Sequence, residues 1–344
     1  MEIKKNLKKL IIVNTLNKKI FIIAETACSH DGSERRLKYL VKSAYEAGAD
    51  AIQFQVWNFK NMVTPNNPNY RKLELLQLSF RKWKKVFSFT KKKYPSLEII
   101  ACIYDVNALK ICEKLGANSY KIHSSDLGNF ELLKKISKIK KRIDLSIGGS
   151  QLNEIKKALK VLKNNNVWLM YGYQLFPTNP NNLNLLKLKS YERIFNRPVG
   201  YQDHSPPNLT AFTIPAVAIG TGIRIIEKHI TDNRSRKGTD SEAALNPKEF
   251  KIFVNKCREA FTSMGDGKLK KLTFDQEKYR IYAKKKIFLS KSLKKNSVIK
   301  RKYLLIRQPI GNYGISVDFI NKVIGKRTKA DMKAFSIIQK KDLK

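Results

Sequence analysis

The sequence predicts an α/β protein: a (β/α)8 barrel over residues 1–264, a linker over 265–280 and a small, mostly β domain over 281–344. Three observations predict it. Eight short apolar runs recur between residues 21 and 227, and continuous apolar strands fit a parallel sheet covered on both faces. Stretches with apolar residues at i, i+3 and i+4 stand between the runs, and eight such strand–helix units fit one closed barrel. After residue 264 the texture changes, first to GDGKLKKL (265–272) and then to short strand-and-turn segments. A doubly wound open sheet is the alternative, but no GxGxxG follows the first strand.

FIIA (21–24) opens the barrel. SERRLKYLVKSAYEAG (33–48) reads as a helix with Ser33 as N-cap and Gly48 as its stop. AIQFQV (51–56), LEIIAC (97–102) and NSYKIH (118–123) are strands two to four, and VNALKICEKLG (106–116) is a helix ending in glycine. NFELLKKISKI (129–139) and QLNEIKKALKVLK (151–163) are helices on either side of the fifth strand, IDLSI (143–147). VWLMY (167–171), PVGY (198–201) and GIRIIE (222–227) complete the strands, and PKEFKIFVNKCREAF (247–261) is a further helix. Beyond 281, KIFLSKS, YLLIRQPIGNYGIS and KVIGKRTK read as short strands and turns. A segment of this length is marginal alone unless it docks on something.

Composition narrows the function. The apolar fraction is 42%, enough for a sizeable core. No apolar run approaches the roughly 18 residues that span a bilayer. The N-terminal LIIV run is too short for a signal peptide, so a cytoplasmic protein without membrane partners is expected. Cys28, Cys102, Cys112 and Cys257 make no CxxC pair, which points to reduced, packed thiols. The net charge of +41 suggests nucleic acid or an anionic surface. However, the basic residues run along the whole chain, with no RRM, KH or helix-turn-helix signature. A solvated basic surface is the simpler reading, nucleic acid is not the expected partner, and the positive field favours small anionic substrates.

In a barrel, polar residues at the C-terminal strand ends form the active site. Those here are Glu25 and His30, then Gln53 and Gln55, then Cys102, Tyr104 and Asp105. Lys121, His123, Ser124 and Asp126 follow, then Ser146, then Gln174 and Phe176, then Gln202, Asp203 and His204, and finally Glu227, Lys228 and His229. His204 and His229 close two neighbouring strands, and two imidazoles with open positions suit a divalent ion acting as Lewis acid. Lys121, Ser124 and Ser146 suit phosphate or carboxylate. Lys121 also admits a second reading, as the Schiff-base amine of an aldolase.

The same residues resemble the sialic acid synthase family, the N-acetylneuraminate and N-acylneuraminate-9-phosphate synthases. The resemblance is carried by IAETACSHDG (23–32), EAGADAIQFQ (46–55), YKIHSSDLGNFELL (120–133), LSIGGS (145–150), FPTNPNNLNLL (176–186), VGYQDHS (199–205), IIEKHITD (225–232) and KGTDSEAALNPKEF (237–250), in collinear order. IRQPIGNYGIS (306–316) and VIGKR (323–327) resemble the family's antifreeze-like (SAF) domain.

That resemblance implies a (β/α)8 barrel with a SAF domain. It implies condensation of phosphoenolpyruvate with an N-acylated amino sugar such as N-acetylmannosamine, giving a nine-carbon 2-keto sugar acid and phosphate. It makes His204 and His229 the ligands of a divalent metal, Mn2+ before Mg2+ or Co2+. Lys121, Ser124 and Ser146 become phosphoenolpyruvate contacts, and Gln55, Asp126 and Asp240 sugar and active-site contacts. Glu25, Asp126, Asp240 and Arg307 form the implied catalytic set, with Arg307 inserted into the partner subunit of a domain-swapped homodimer. The chain departs from the family at several positions. Gln53 stands where lysine is usual, Cys102 for threonine, Gln174 for asparagine, Phe176 for tyrosine, Gln202 for serine and Asp126 for glutamate. Gln53, Gln174, Phe176 and Gln202 therefore redraw the substrate pocket. A Schiff-base aldolase and a non-catalytic basic nucleic-acid-binding protein are the competing functions.

Overall fold

A computed structural model describes residues 19–269, 271–311 and 313–344; the N-terminal LIIV run lies outside them. The chain divides into two compact units, one ending at Gly265 and the other spanning Asp266–Lys344.

In the first unit eight parallel strands close a barrel in sequence order. They are β1 (Phe21–Glu25), β2 (Ala51–Val56), β3 (Glu98–Ile103), β4 (Ser119–Ile122), β5 (Ile143–Ser146), β6 (Val167–Tyr171), β7 (Val199–Asp203) and β8 (Ile225–His229). β1 and β8 close the ring, with Glu25 opposite His229. Side chains alternate between two faces. Outward residues such as Ile22, Ile52, Phe54 and Ile99 join the large core between strands and helices. Inward residues Ile23, Ala51, Ile100, Trp168, Met170 and Ile225 form a separate cluster on the barrel axis.

Most expected helices form, with Glu34–Ala47 capped at Ser33, whose hydroxyl accepts from the Arg36 N–H, and stopped by Gly48 at φ 88°. That left-handed conformation is open to glycine at no steric cost. Helices also occupy Phe80–Lys93, Lys187–Phe195 and Thr210–Gly220, where none was assigned from sequence.

Below the axial cluster, at the N-terminal strand ends, Arg142 fills the barrel. Its guanidinium bonds Asp144 at 2.8 Å, Glu98 at 2.7 Å and Ser119 Oγ at 3.1 Å, and lies 3.9 Å from the centre of the Trp168 ring.

The second unit packs Ile287, Leu289, Leu293, Ile299, Leu304, Ile315, Val323 and Ile338 into its own core. β9 (Lys286–Leu289) and β10 (Leu304–Arg307) pair antiparallel. The expected strand in KVIGKRTK is instead the end of a short helix, Ile320–Val323, then a turn at Gly325 and isolated bridges from Arg327 and Thr328. The segment read as a linker contains the start of a helix, Phe274–Ala283, because Thr273 and Gln276 cap it reciprocally.

Candidate active site

The strict alternation of side chains builds the site. Along β8, Ile225, Glu227 and His229 point inward, and Lys228 points out. Across the mouth the inward set continues with Glu25, Gln53, Gln55, Cys102, Lys121, Ser146, Gln202 and, just past β7, His204. Thus most of the residues chosen at strand ends converge.

At the centre Lys121 Nζ donates to both oxygens of Glu227, at 2.6 and 2.8 Å, and lies 4.0 Å from Glu25 Oε2. Lys121, Glu227 and Glu25 are all buried. Burial works against the Lys121 charge, but Glu227 and then Glu25 more than offset it, so its pKa is raised. Burial raises the Glu25 carboxyl to about 8, against the pull of Lys121 and with help from Glu227. Gln202 Nε2 donates to Glu227 Oε1 at 3.1 Å and its carbonyl accepts from Ser146 Oγ at 2.8 Å. The result is a hydrogen-bonded chain, Ser146–Gln202–Glu227–Lys121. Close approach of the strands here needs glycine: a Cβ on Gly172 would sit 2.5 Å from the Gln202 carbonyl oxygen.

One inward step above lie the histidines, with ring centres 5.4 Å apart. Phe176 packs against both, at 4.2 Å from His204 and 5.6 Å from His229. His204 Nδ1 is 2.8 Å from the Tyr173 carbonyl, which only accepts, so Nδ1 carries the proton and Nε2 keeps its lone pair. Burial lowers His204 to about 4 and His229 well below its ordinary value, the latter aided by His204 and Lys121. Both imidazoles are therefore neutral at physiological pH. His229 Nδ1 is buried without a hydrogen-bond partner among the described residues, 4.0 Å from Asp240 Oδ2. Burial also raises the Asp240 carboxyl, partly opposed by Lys72.

Two neutral imidazoles, one fixed in tautomer and one holding an orphaned ring nitrogen, fit a divalent ion. No group of three His, Cys, Asp or Glu side chains forms a metal cage among the described residues. Water or substrate oxygens would complete the shell.

Gln53 is buried on the axis, and neither its Oε1 nor its Nε2 has a partner among the described residues. On the β3–β4 side, Tyr104 packs 5.6 Å from His123, and His123 is held down to about 4 by burial. Cys102 is fully buried among these groups, and burial pushes its thiol upward. Gln174 lies over Gly148, where an added Cβ would come within 2.5 Å of its Nε2.

Ser124 and Asp126 bond within their own 3-10 turn past β4, where Asp126 accepts from Asn129 Nδ2 at 2.9 Å and Ser125 Oγ at 3.2 Å. Arg307 belongs to the second unit, exposed at the end of β10, and donates to the Ile306 carbonyl at 2.9 Å.

Sequence reasoning placed Glu227 and Lys228 at the mouth without separating their roles. Alternation along β8 is the signal that separates them: Glu227 holds Lys121, and Lys228 pairs outward with Asp203 at 2.8 Å.

Comparison with known proteins gives the family. The NeuB family profile matches residues 40–269, more than half of the 344. An N,N'-diacetyllegionaminic acid synthase of Campylobacter jejuni is 30% identical over 337 residues, covering 91% of this chain and 98% of that protein. A pseudaminic acid synthase from the same species is 27% identical, covering 95% and 98%. The crystal structure of N-acetylneuraminic acid (sialic acid) synthetase from Leptospira borgpetersenii, in complex with citrate, is similar with a TM-score of 0.71 at 28% identity, covering 77% of this chain and 92% of that one. With the profile matched through most of the barrel and relatives aligned along nearly its whole length, the chain belongs to the NeuB family.

Proposed function

We propose that the protein condenses phosphoenolpyruvate with an open-chain N-acylated amino sugar, giving a 2-keto sugar acid and inorganic phosphate. The carrying observation is the buried Lys121 ammonium set directly below two neutral imidazoles. That arrangement can hold an anion and an aldehyde on one axis. Lys121, with Ser146 and Ser124, would bind the phosphate and carboxylate of phosphoenolpyruvate. His204 and His229 would hold Mn2+, Mg2+ or Co2+, which when bound supplies Lewis-acid polarisation of the aldehyde oxygen. C3 of phosphoenolpyruvate then bonds to the aldehyde carbon, whose oxygen takes a proton. Water adds to C2, and the C–O bond to phosphate breaks. Glu25 and Asp240 carry the carboxyl groups suited to moving those protons. Gln55, Gln174 and Phe176 would contact the sugar. Arg307 would act from the partner subunit of a homodimer through a SAF-type domain.

The ion pair with Glu227 argues against the aldolase reading, because an ammonium is not a nucleophile. The test is phosphate release from phosphoenolpyruvate with Mn2+, across mono- and di-N-acylated hexosamines, with and without EDTA. Sugar-dependent, EDTA-sensitive release is expected. No release with any acceptor would remove the reading.

A further inference from the structure

His204 is the first residue beyond β7, so the barrel ladder does not hold it. Three kinds of contact do. Its carbonyl accepts from Thr178 N–H at 2.8 Å, its ring is fixed by Tyr173, and the residue after it, Ser205, is tied to the outward face. Lys228 Nζ donates to the Ser205 carbonyl at 2.8 Å and approaches its hydroxyl at 3.4 Å. Asp203 accepts from Ser205 N–H at 3.1 Å and from Ser205 Oγ at 2.8 Å, and also from the Tyr201 hydroxyl at 3.1 Å. Asp203 and Lys228 are ladder partners on neighbouring strands, and their ion pair at 2.8 Å is wholly excluded from solvent.

This pair stands directly before both imidazoles: Asp203 precedes His204, and Lys228 precedes His229. A buried ion pair adds little stability over apolar residues of the same size, since desolvation consumes most of its attraction. Stability alone therefore does not account for it. Its bonds fix the chain on both sides of His204 to the strand that carries His229.

We propose that the Asp203–Lys228 pair, through Ser205, is a positioning clamp that sets the spacing and aim of the His204–His229 pair for a divalent ion. The clamp rests on the metal reading given above and adds residues that touch neither ion nor substrate. Removing such a support weakens metal binding by about tenfold to hundredfold.

The test is Mn2+ affinity of the full chain, read by electron paramagnetic resonance without substrate, so that turnover plays no part. Lys228→Met alone strands Asp203 as a buried charge and risks unfolding. The informative variants are the double change Asp203→Asn with Lys228→Met, and the milder Ser205→Ala, each checked for a wild-type melting curve. In a variant that melts like wild type, the Mn2+ dissociation constant is expected to rise at least about tenfold for the double change and about threefold for Ser205→Ala. An Mn2+ affinity within twofold of wild type in either folded variant overturns the clamp. Absence of Mn2+ binding by the wild type would instead overturn the ion site itself, and with it the clamp's role.

Discussion

Lys121 and Glu227, 106 positions apart in sequence, form a two-pronged ion pair on the barrel axis with Nζ–O distances of 2.6 and 2.8 Å. The pair keeps the ammonium charged where burial alone would neutralise it. Lys121→Met is expected to lower kcat/KM for phosphoenolpyruvate by about tenfold to hundredfold, the worth of a charge-assisted contact. Pyruvate with borohydride is expected to leave Lys121 of the wild type unmodified. A reduced adduct on Lys121, found by mass spectrometry, would restore the Schiff-base reading.

His204→Ala and His229→Ala are each expected to abolish turnover while the far-ultraviolet circular dichroism stays that of the wild type. The rings sit at the mouth, above the packed axial cluster, so the barrel does not depend on them. Retained activity in either variant would remove the ligand assignment.

Gln53→Lys is expected to lower the dissociation constant for phosphoenolpyruvate by about tenfold. Around Lys121 stand the acidic side chains Glu25 and Glu227, and the Gln53 amide is unpartnered among the described residues. A lysine there would add a cation beside Glu25. Calorimetric titration gives the answer, and unchanged or weaker binding would show that the pocket compensates for the missing cation elsewhere.

The metal-free protein should show a stability maximum near neutrality. His30, His123 and His204 are each held near 4, below the ordinary 6.5. Between those values the unfolded chain binds more protons, so stability rises with pH. Glu25 runs the other way: its folded value of about 8 exceeds the ordinary 4.5, so the folded chain holds the extra proton and stability falls with pH between them. Below pH 6.5 four lowered histidines, His229 among them, oppose the raised carboxyls of Glu25, Asp144 and Asp240, and above it the histidines no longer contribute while Glu25 still does. Melting temperature should therefore climb from pH 4 to 6.5 and sag toward pH 8, and Glu25→Gln should abolish the sag. A sag of unchanged depth in that variant would refute the assignment to Glu25.

Arg307→Ala is expected to raise KM for the sugar by about tenfold with little change in molar mass by light scattering. Its guanidinium is exposed on its own unit and, among the described residues, donates to the Ile306 carbonyl. Unaltered sugar kinetics would detach the second unit from the site.

Strands were the most legible elements. β6 occupies Val167–Tyr171 as its apolar run predicts, because a parallel strand buried on both faces has no polar positions to blur it, and β2 occupies Ala51–Val56 as predicted despite Gln53 and Gln55. The helix Phe80–Lys93 escaped because lysines crowd its sequence, although Trp83, Val86, Phe87 and Thr90 form its buried face. Thr210–Gly220 escaped for the opposite reason: it is apolar almost all round and contains Pro215. β8 was expected to end at Glu227 and runs on to His229, because charged residues at a barrel mouth still belong to the ladder. The residue types of the site were legible from strand ends. Their pairings were not: nothing local ties Lys121 to Glu227, or Gln202 to Ser146 across 56 positions.

The Arg142 plug has a kinetic meaning. With the axis packed by the Ile23–Met170–Ile225 cluster and the far end filled by the Arg142 guanidinium and its carboxylates, the site opens on the C-terminal side of the strands. Whatever reaches Lys121 passes His204 and His229 on the way in and again on the way out. On the proposed reading, two ligands that share this one entrance queue by depth: an anion bound at Lys121 enters before whatever the histidines hold.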